Sequence, residues 1–277
     1  MLDCPIRELS MANAIKTQSV PAADRILTIL ELVAQSKRGL RLAEVAEKAR
    51  MPRSSAHCLL LTLERRGYLH RNENSGRYMF GLKLFSLAGS AISGLEIREL
   101  GAPHLAFLMQ QTGLTVHMAI LEQHEAVLVS KVDPPGMIRL ATWSGKRMDF
   151  HCTGLGKAIA SFLPEERLDD LISVRGLPRH NENTIVSSRK LKQQLREVRT
   201  MGYALDDEEE EIGLRCIGVP IFDNERRVIA AISVSGTVTQ IHSDNVHKLA
   251  ERAKAAAANI SVALAASAES RQHVDPA

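Results

Sequence analysis

Arg53, Ser54, Ser55 and His57 put a cation, two hydroxyls and an imidazole into five residues. Together they can donate to phosphate oxygens and read the polar edges of bases, which is how side chains read a DNA groove. His151 beside Cys152 has the composition of a Cys/His nucleophile pair. Consecutive residues on a strand point to opposite faces, so that spacing is poor for such a pair. The four cysteines, at positions 4, 58, 152 and 216, include no CxxC. That argues against a structural zinc site and a disulfide framework. His117, His124 and His151 could meet round a metal only through the fold, and their spacing does not require it. Neither a metal nor a cofactor is expected.

Periodicity turns the first group outward. Ala56, Leu59, Leu60 and Leu63 fall at i, i+3, i+4 and i+7 and predict an amphipathic helix over 52–66. Pro52 suits its first turn and Gly67 its end. Ser54, Ser55, His57, Cys58 and Arg65 lie off the stripe. Leu42, Val45, Ala46 and Ala49 repeat the spacing over 42–49, and Ile26, Leu27, Leu30 and Val33 form a third stripe. Two short helices with so tight a joint suggest a helix-turn-helix. The following "GYLHRNENSGRYMFG" reads as two short strands around an Asn-Ser-Gly turn. The whole, over 19–81, is a winged helix-turn-helix.

Charge agrees. Between Lys37 and Arg77, ten Lys or Arg against four acids leave a net +6, while the whole chain carries only +3. A basic block on an otherwise mildly acidic chain suits phosphate contact. The helix 52–66 is expected to enter a major groove with Arg53, Ser54, Ser55 and His57 nearest the bases. Arg71 and Arg77 on the wing are expected to meet phosphates, and Arg41 is a further expected DNA-binding residue.

The chain of 277 residues is long enough for two domains. Its 45% hydrophobic and 24% charged residues describe a globular protein. No apolar run reaches membrane-spanning length and no secretory h-region is present, so a cytoplasmic location with no membrane partner is expected. Residues 1–18 read as a disordered lead and 269–277 as a frayed tail. "GLKLFSLAGSAISG" carries a wide apolar face of Leu82, Leu84, Phe85, Leu87, Ala88, Ala91 and Ile92. Either the second domain covers this face or its copy in another subunit does. Pairing with the copy, as a linker helix over 82–96, is the expectation, because paired half-sites want paired readers.

Beyond it, "LTVHMAIL" and "EAVLVSKV" read as adjacent strands around a turn at 122–124. "LRCIGVPIF" and "RVIAAISVSG" read as two apolar strands joined by "DNER". "CTGLGKAIASFL" is a Gly-rich turn feeding a helix, "SRKLKQQLREVRTMG" an exposed basic amphipathic helix, and "IHSDNVHKLAERAKAAAANISVALAAS" a closing helix. Hairpins with helices around them suggest an α+β sensor domain over 97–268. Trp143, with Arg139, Lys146 and Arg147, is a candidate for a pocket mouth or a solvated loop.

"GLRLAEVAEKARMPRSSAHCLLLTLERRGYLHR", "CTGLGKAIASFLP" and "GYALDDEEEEIGLRCIGVPIFDNERRVIAAISVSG", in this order, resemble the IclR family of bacterial transcriptional regulators over about 20–268. The resemblance implies a winged helix-turn-helix, a dimerising linker helix and a GAF-like effector-binding domain. It also implies a homodimer or dimer of dimers on operator DNA, with RNA polymerase a further partner. Carried over residue by residue, the effector contacts are Gly154, Leu155, Asp206, Cys216, Ser233 and Ser235. Amide N–H groups at a helix N-terminus suit an anion, and Ser233 and Ser235, two apart, share a strand face. A small organic acid from a catabolic pathway is expected, with its charge met mainly by dipoles. Two positions depart from the family pattern. Arg50 stands where Gly is usual between the reading helices, which predicts another turn geometry, and Cys58 stands where Arg is common. The competing readings are a cysteine-dependent enzyme and a DNA-binding protein that senses nothing.

Overall fold

The computed structural model describes residues 20–93, 96–122, 125–136 and 140–272, and of residues 89–93 and 268–272 the backbone alone. The lead 1–18, His124, Arg139, residues 273–277 and the side chains of Ala91 and Ile92 lie outside what is described. The chain divides into two compact units between Ala91 and Ile92.

In the first unit, α1 (Pro21–Ala34), α2 (Leu42–Lys48) and α3 (Arg53–Arg65) pack with the hairpin β1 (Leu69–Arg71) and β2 (Tyr78–Phe80). Ala56, Leu60 and Leu63 of α3 are buried with Val45 and Ala46 of α2. α1 sits rotated from the expected stripe. Leu27 is 56% exposed, while Ile29 and Val33 are buried and Ile26 and Leu30 pack against them.

α2 and α3 end in the same way. After α3, Gly67 takes φ +77°, with Tyr68 N–H donating to Leu63 O and Gly67 N–H to Glu64 O. After α2, Arg50 takes φ +50°, with Met51 N–H donating to Ala46 O and Arg50 N–H to Glu47 O. Both are left-handed helix closures that satisfy the last carbonyls. The expected change of geometry at Arg50 does not occur. The joint keeps the left-handed turn and bears the crowding of a side chain there, about 1–2 kcal/mol.

α4 (Leu82–Ser93) follows the wing. Leu82 and Phe85 on it are 86% and 81% exposed.

The second unit is built on an antiparallel six-stranded sheet ordered β5-β4-β3-β8-β7-β6. Its strands are β3 (Thr115–Glu122), β4 (Glu125–Val132), β5 (Arg147–Met148), β6 (Ala204–Asp207), β7 (Leu214–Phe222) and β8 (Val228–Thr237). Helices α5 (Glu96–Thr112) and α9 (Ser243–Gln272) cover one face through Leu105, Leu108, Ala253 and Ile260. α9 runs on through residues 269–272, where fraying was expected. The other face carries α6 (Gly154–Ala160), with α7 (Glu165–Arg175) and α8 (Ser188–Met201) outside it. β5 and β6 are too short to show a period, which hides them in the sequence.

α6 lies against β7 at backbone contact. A Cβ on Gly218 would stand 2.0 Å from Gly154 O, and one on Gly154 3.0 Å from Cys216 O. Only glycine allows that approach.

Candidate functional site

β8 shows its two faces to different surroundings. Ala230, Ile232 and Val234 enter the core under α5 and α9, so Ser233 and Ser235 face the side of α6. Antiparallel register then chooses their neighbours. His117 of β3 lies opposite Ser233, and Cys216 of β7 opposite Ser235. A polar chain results. Ser233 Oγ is 3.4 Å from Ser235 Oγ, Ser235 Oγ 3.3 Å from His117 Nδ1, and His117 Nε2 2.8 Å from Thr142 Oγ1. Burial pulls His117 down to about 4, so its ring is neutral near pH 7 and offers one donor and one acceptor.

This chain floors a pocket of about 550 Å3, mouth included. Leu128, Leu140, Met148, Leu155 and Leu214 supply apolar wall, and Gly154 opens α6 at its edge. The segment 140–142 is held over it by Lys131, whose Nζ donates to Leu140 O at 2.9 Å and Thr142 O at 3.3 Å. Lys146 also lines the pocket, 3.7 Å from Glu210 Oε1 and 5.9 Å from the Trp143 ring centroid. A few polar groups converging in an apolar concavity is the usual form of a small-molecule site.

Five of the six residues assigned to effector binding therefore come together: Gly154, Leu155, Cys216, Ser233 and Ser235. Asp206 does not line the pocket. It lies opposite Cys216 on β6, only 2% exposed, and its Oδ1 accepts the Glu209 N–H at 2.9 Å. Burial raises it to about 7, against the pull of Lys157. The acidic run it opens is folded inward. Lys157 is fully buried, pairs with Glu209 and donates to Leu205 O, fastening α6 to this strand. Arg215 turns away to Asp207 at 2.5 Å, and Arg147 to Glu125 at 2.6 Å. Lys146, a candidate for the pocket mouth, thus adds a cation to the pocket, where the charge was expected to be met mainly by dipoles. His117 and Thr142 are polar lining residues that the sequence did not mark. The signal for His117 is alternation, because flanking Val116 and Met118 belong to the opposite face.

The expected strand geometry at His151 and Cys152 is wrong. Both lie in a turn that Thr153 Oγ1 closes on Asp149 O at 2.7 Å, so they can face one side. Burial pushes the thiols of Cys152 and Cys216 well up, which disfavours the thiolate a nucleophile needs. His117 lines the pocket and His151 does not. The trio of His117, His124 and His151 includes His124, which lies outside the described residues.

On the first unit, Arg53, Ser54 and His57 are exposed on α3 and Ser55 is half-buried. Cys58 stands exposed on the same face. Arg71 is exposed, its guanidinium 5.9 Å from the Tyr78 ring centroid. Arg77, expected to meet phosphate, is engaged within the unit. Its Nη1 donates to Gly39 O at 2.7 Å and to Glu44 Oε2 at 3.1 Å. Glu44 also accepts the Arg41 N–H at 2.7 Å, and Arg41 Nε reaches Ser75 O at 3.2 Å. These bonds hold the Glu44 carboxyl below its usual range, the Arg41 N–H first among them. Arg41 and Arg77 thereby tie the wing to α2.

A winged helix-turn-helix with exposed polar residues on its second helix, joined to an α+β domain with a polar-floored pocket, defines a DNA-binding transcriptional regulator. Two family models match: the IclR helix-turn-helix domain over residues 22–73, and the bacterial transcriptional regulator IclR C-terminal domain over residues 89–262. The transcriptional repressor IclR of Escherichia coli K12 is 34% identical over 259 residues, 93% of this chain and 94% of that protein. The acetate operon repressor of Salmonella typhimurium LT2 is 32% identical over the same shares. The Thermotoga maritima IclR crystal structure superposes with a TM-score of 0.70 at 32% identity, covering 87% of this chain and 98% of that one. The chain belongs to the IclR family of transcriptional regulators. No helix among the described residues is long and apolar enough to cross a membrane.

Proposed function

We propose that this chain grips operator DNA with α3 and the wing, and that its hold answers to a small organic acid bound over β8. The assignment gives DNA binding to 19–81, subunit pairing to 82–96 and effector binding to 97–268. The chain of buried Ser233, Ser235 and His117 and half-buried Thr142, opening into a pocket, is the observation that carries the effector reading. The carboxylate meets Ser233 and Ser235, with the N–H groups of Gly154 and Leu155 at the start of α6 nearby. Lys146 supplies a formal positive charge, and the leucine walls take the carbon skeleton. The relative named for the acetate operon supports control of a catabolic operon, in the cytoplasm where operator DNA lies.

Calorimetry against keto, sugar and aromatic acids tests this. One class should bind, and Ser235→Ala should weaken it by about 1–3 kcal/mol through an unpaired ligand oxygen. Operator binding without ligand should not change. Failure of every acid to bind, or equal binding by Ser235→Ala, would overturn the effector assignment.

Large exposed apolar side chains at Leu82 and Phe85 support pairing of α4 between subunits, as a homodimer or dimer of dimers. Phe85→Asp should abolish the dimer in sedimentation and with it tight operator binding. RNA polymerase is a further partner on this reading.

A further inference from the structure

His151, Cys152 and His180 each offer one ligand atom, and these atoms lie within 4.8 Å of one another. None of the three lines the effector pocket. We propose that they form a separate binding site for a zinc-type divalent transition metal.

The orientation of the rings carries this. His151 Nε2–H donates to Pro178 O at 2.9 Å, which fixes the tautomer and leaves Nδ1 with its lone pair. That Nδ1 is buried and has no hydrogen-bond partner among the described residues. His151 itself is 0% exposed, so an idle acceptor here carries a desolvation cost that a ligand would remove. His180 is set up in the same way, with Nε2 2.8 Å from Asp149 Oδ2. A carboxylate or carbonyl behind the ligating imidazole is the usual support in metal sites. Cys152 adds a sulfur donor within the same 4.8 Å. Two imidazoles and one thiolate suit a borderline-soft ion of the zinc kind, with a fourth position left for water.

Both loops that carry the donors are already fixed. The 149–153 turn is closed by the Thr153 bond to Asp149 O. The loop bearing His180 is pinned where Thr184 Oγ1 accepts the N–H groups of His180 and Asn181 and donates to Glu209 O at 2.7 Å. Asn181 adds two bonds to the carbonyls of Glu208 and Glu209. Tetrahedral zinc wants donors about 3.3–3.6 Å apart, so closing on the ion takes side-chain shifts on the order of 1 Å. The side chain of His180, 35% exposed, leaves an entry path. Binding forms a metal–sulfur bond at Cys152 Sγ, and the thiol proton leaves to solvent. The same turn feeds Thr153 and Gly154 into the effector pocket, so a bound ion would brace one pocket edge.

Cobalt(II) is the probe, added under reducing, oxygen-free conditions to the full chain without a histidine tag. One equivalent should bring a sulfur-to-cobalt charge-transfer band and the visible bands of tetrahedral cobalt, both erased by zinc. The melting temperature should rise with added zinc. Cys152→Ala should lose the charge-transfer band, while Cys58→Ser and Cys216→Ser keep it. His180→Ala, a partly exposed position that should not disturb folding, should weaken apparent affinity at least about tenfold, and it decides the matter if Cys152→Ala does not fold. No cobalt band in the folded parent, a band that survives Cys152→Ala, or unchanged affinity in His180→Ala would overturn the site.

Discussion

The two units carry their chemistry in opposite ways. The polar face of α3 proposed to read DNA is a set of near neighbours in sequence, turned outward because a helix buries only one stripe. The pocket of the second joins residue 117 to residues 142, 146, 154, 216 and 235, with His117, Ser233 and Ser235 buried and Thr142 and Lys146 half-buried. An exposed surface tolerates change residue by residue, since each side chain meets water. A buried polar site tolerates little, since each lost partner leaves a desolvated group behind.

The largest test of that contrast is the ion pair in each unit. Lys157→Met should leave Glu209 buried and unpaired and destabilise the second unit by about 3–5 kcal/mol. Arg77→Met breaks a half-exposed pair and should cost the first unit about 1 kcal/mol or less. Urea unfolding followed by probes in each unit measures both, and equal losses would end the contrast.

Next in size is a pH effect confined to the second unit. Folded Asp206 binds its proton up to about pH 7, whereas in the unfolded chain it ionises near 4. Between those values the folded state holds the extra proton, so this carboxyl's contribution to stability falls as pH rises. The stability of the parent minus that of Asp206→Asn should therefore decline from pH 4 to 7, by up to about 1.4 kcal/mol per unit. His117 acts in the opposite sense, its folded value lying below the usual imidazole range, but it is common to both proteins and drops out of the difference. A flat difference would mean that Asp206 is ionised throughout.

On the DNA face the effects should be smaller and separable. Arg71→Ala should lower the slope of log affinity against log salt by about 0.9 and weaken all sequences alike. His57→Ala should instead relax preference at one base pair, seen in binding to a library of single substitutions. An unchanged salt slope for Arg71→Ala would remove the wing from the phosphate contacts.

The smallest effect compares two helix ends within one unit. Arg50→Gly gives α2 the closure that Gly67 gives α3, and should stabilise the first unit by about 0.5–1 kcal/mol. Thermal unfolding reads it, and a loss of stability would show that the Arg50 side chain contributes more than its backbone strain removes.

Much of this protein is determined by local sequence. A helix period needs only residues four apart, so the stripes of α2 and α3, the basic block and the outward face of Arg53, Ser54 and His57 are set by neighbours along the chain. The apolar strands β7 and β8, with a short turn between them, are likewise local. The order of the sheet is not. Only tertiary pairing puts His117 opposite Ser233 and brings Lys146 to the same pocket. Only tertiary packing turns Asp206 and Glu209 inward, because Lys157 on a distant helix offers the charge that lets them be buried. The same holds for Arg77, whose charge is met by Glu44 across the wing, and for His151, Cys152 and His180, drawn together by two turns. Spacing along the chain fixes which side a residue faces, but what it faces depends on segments far away in sequence, joined by close packing and by the need to satisfy every buried polar group.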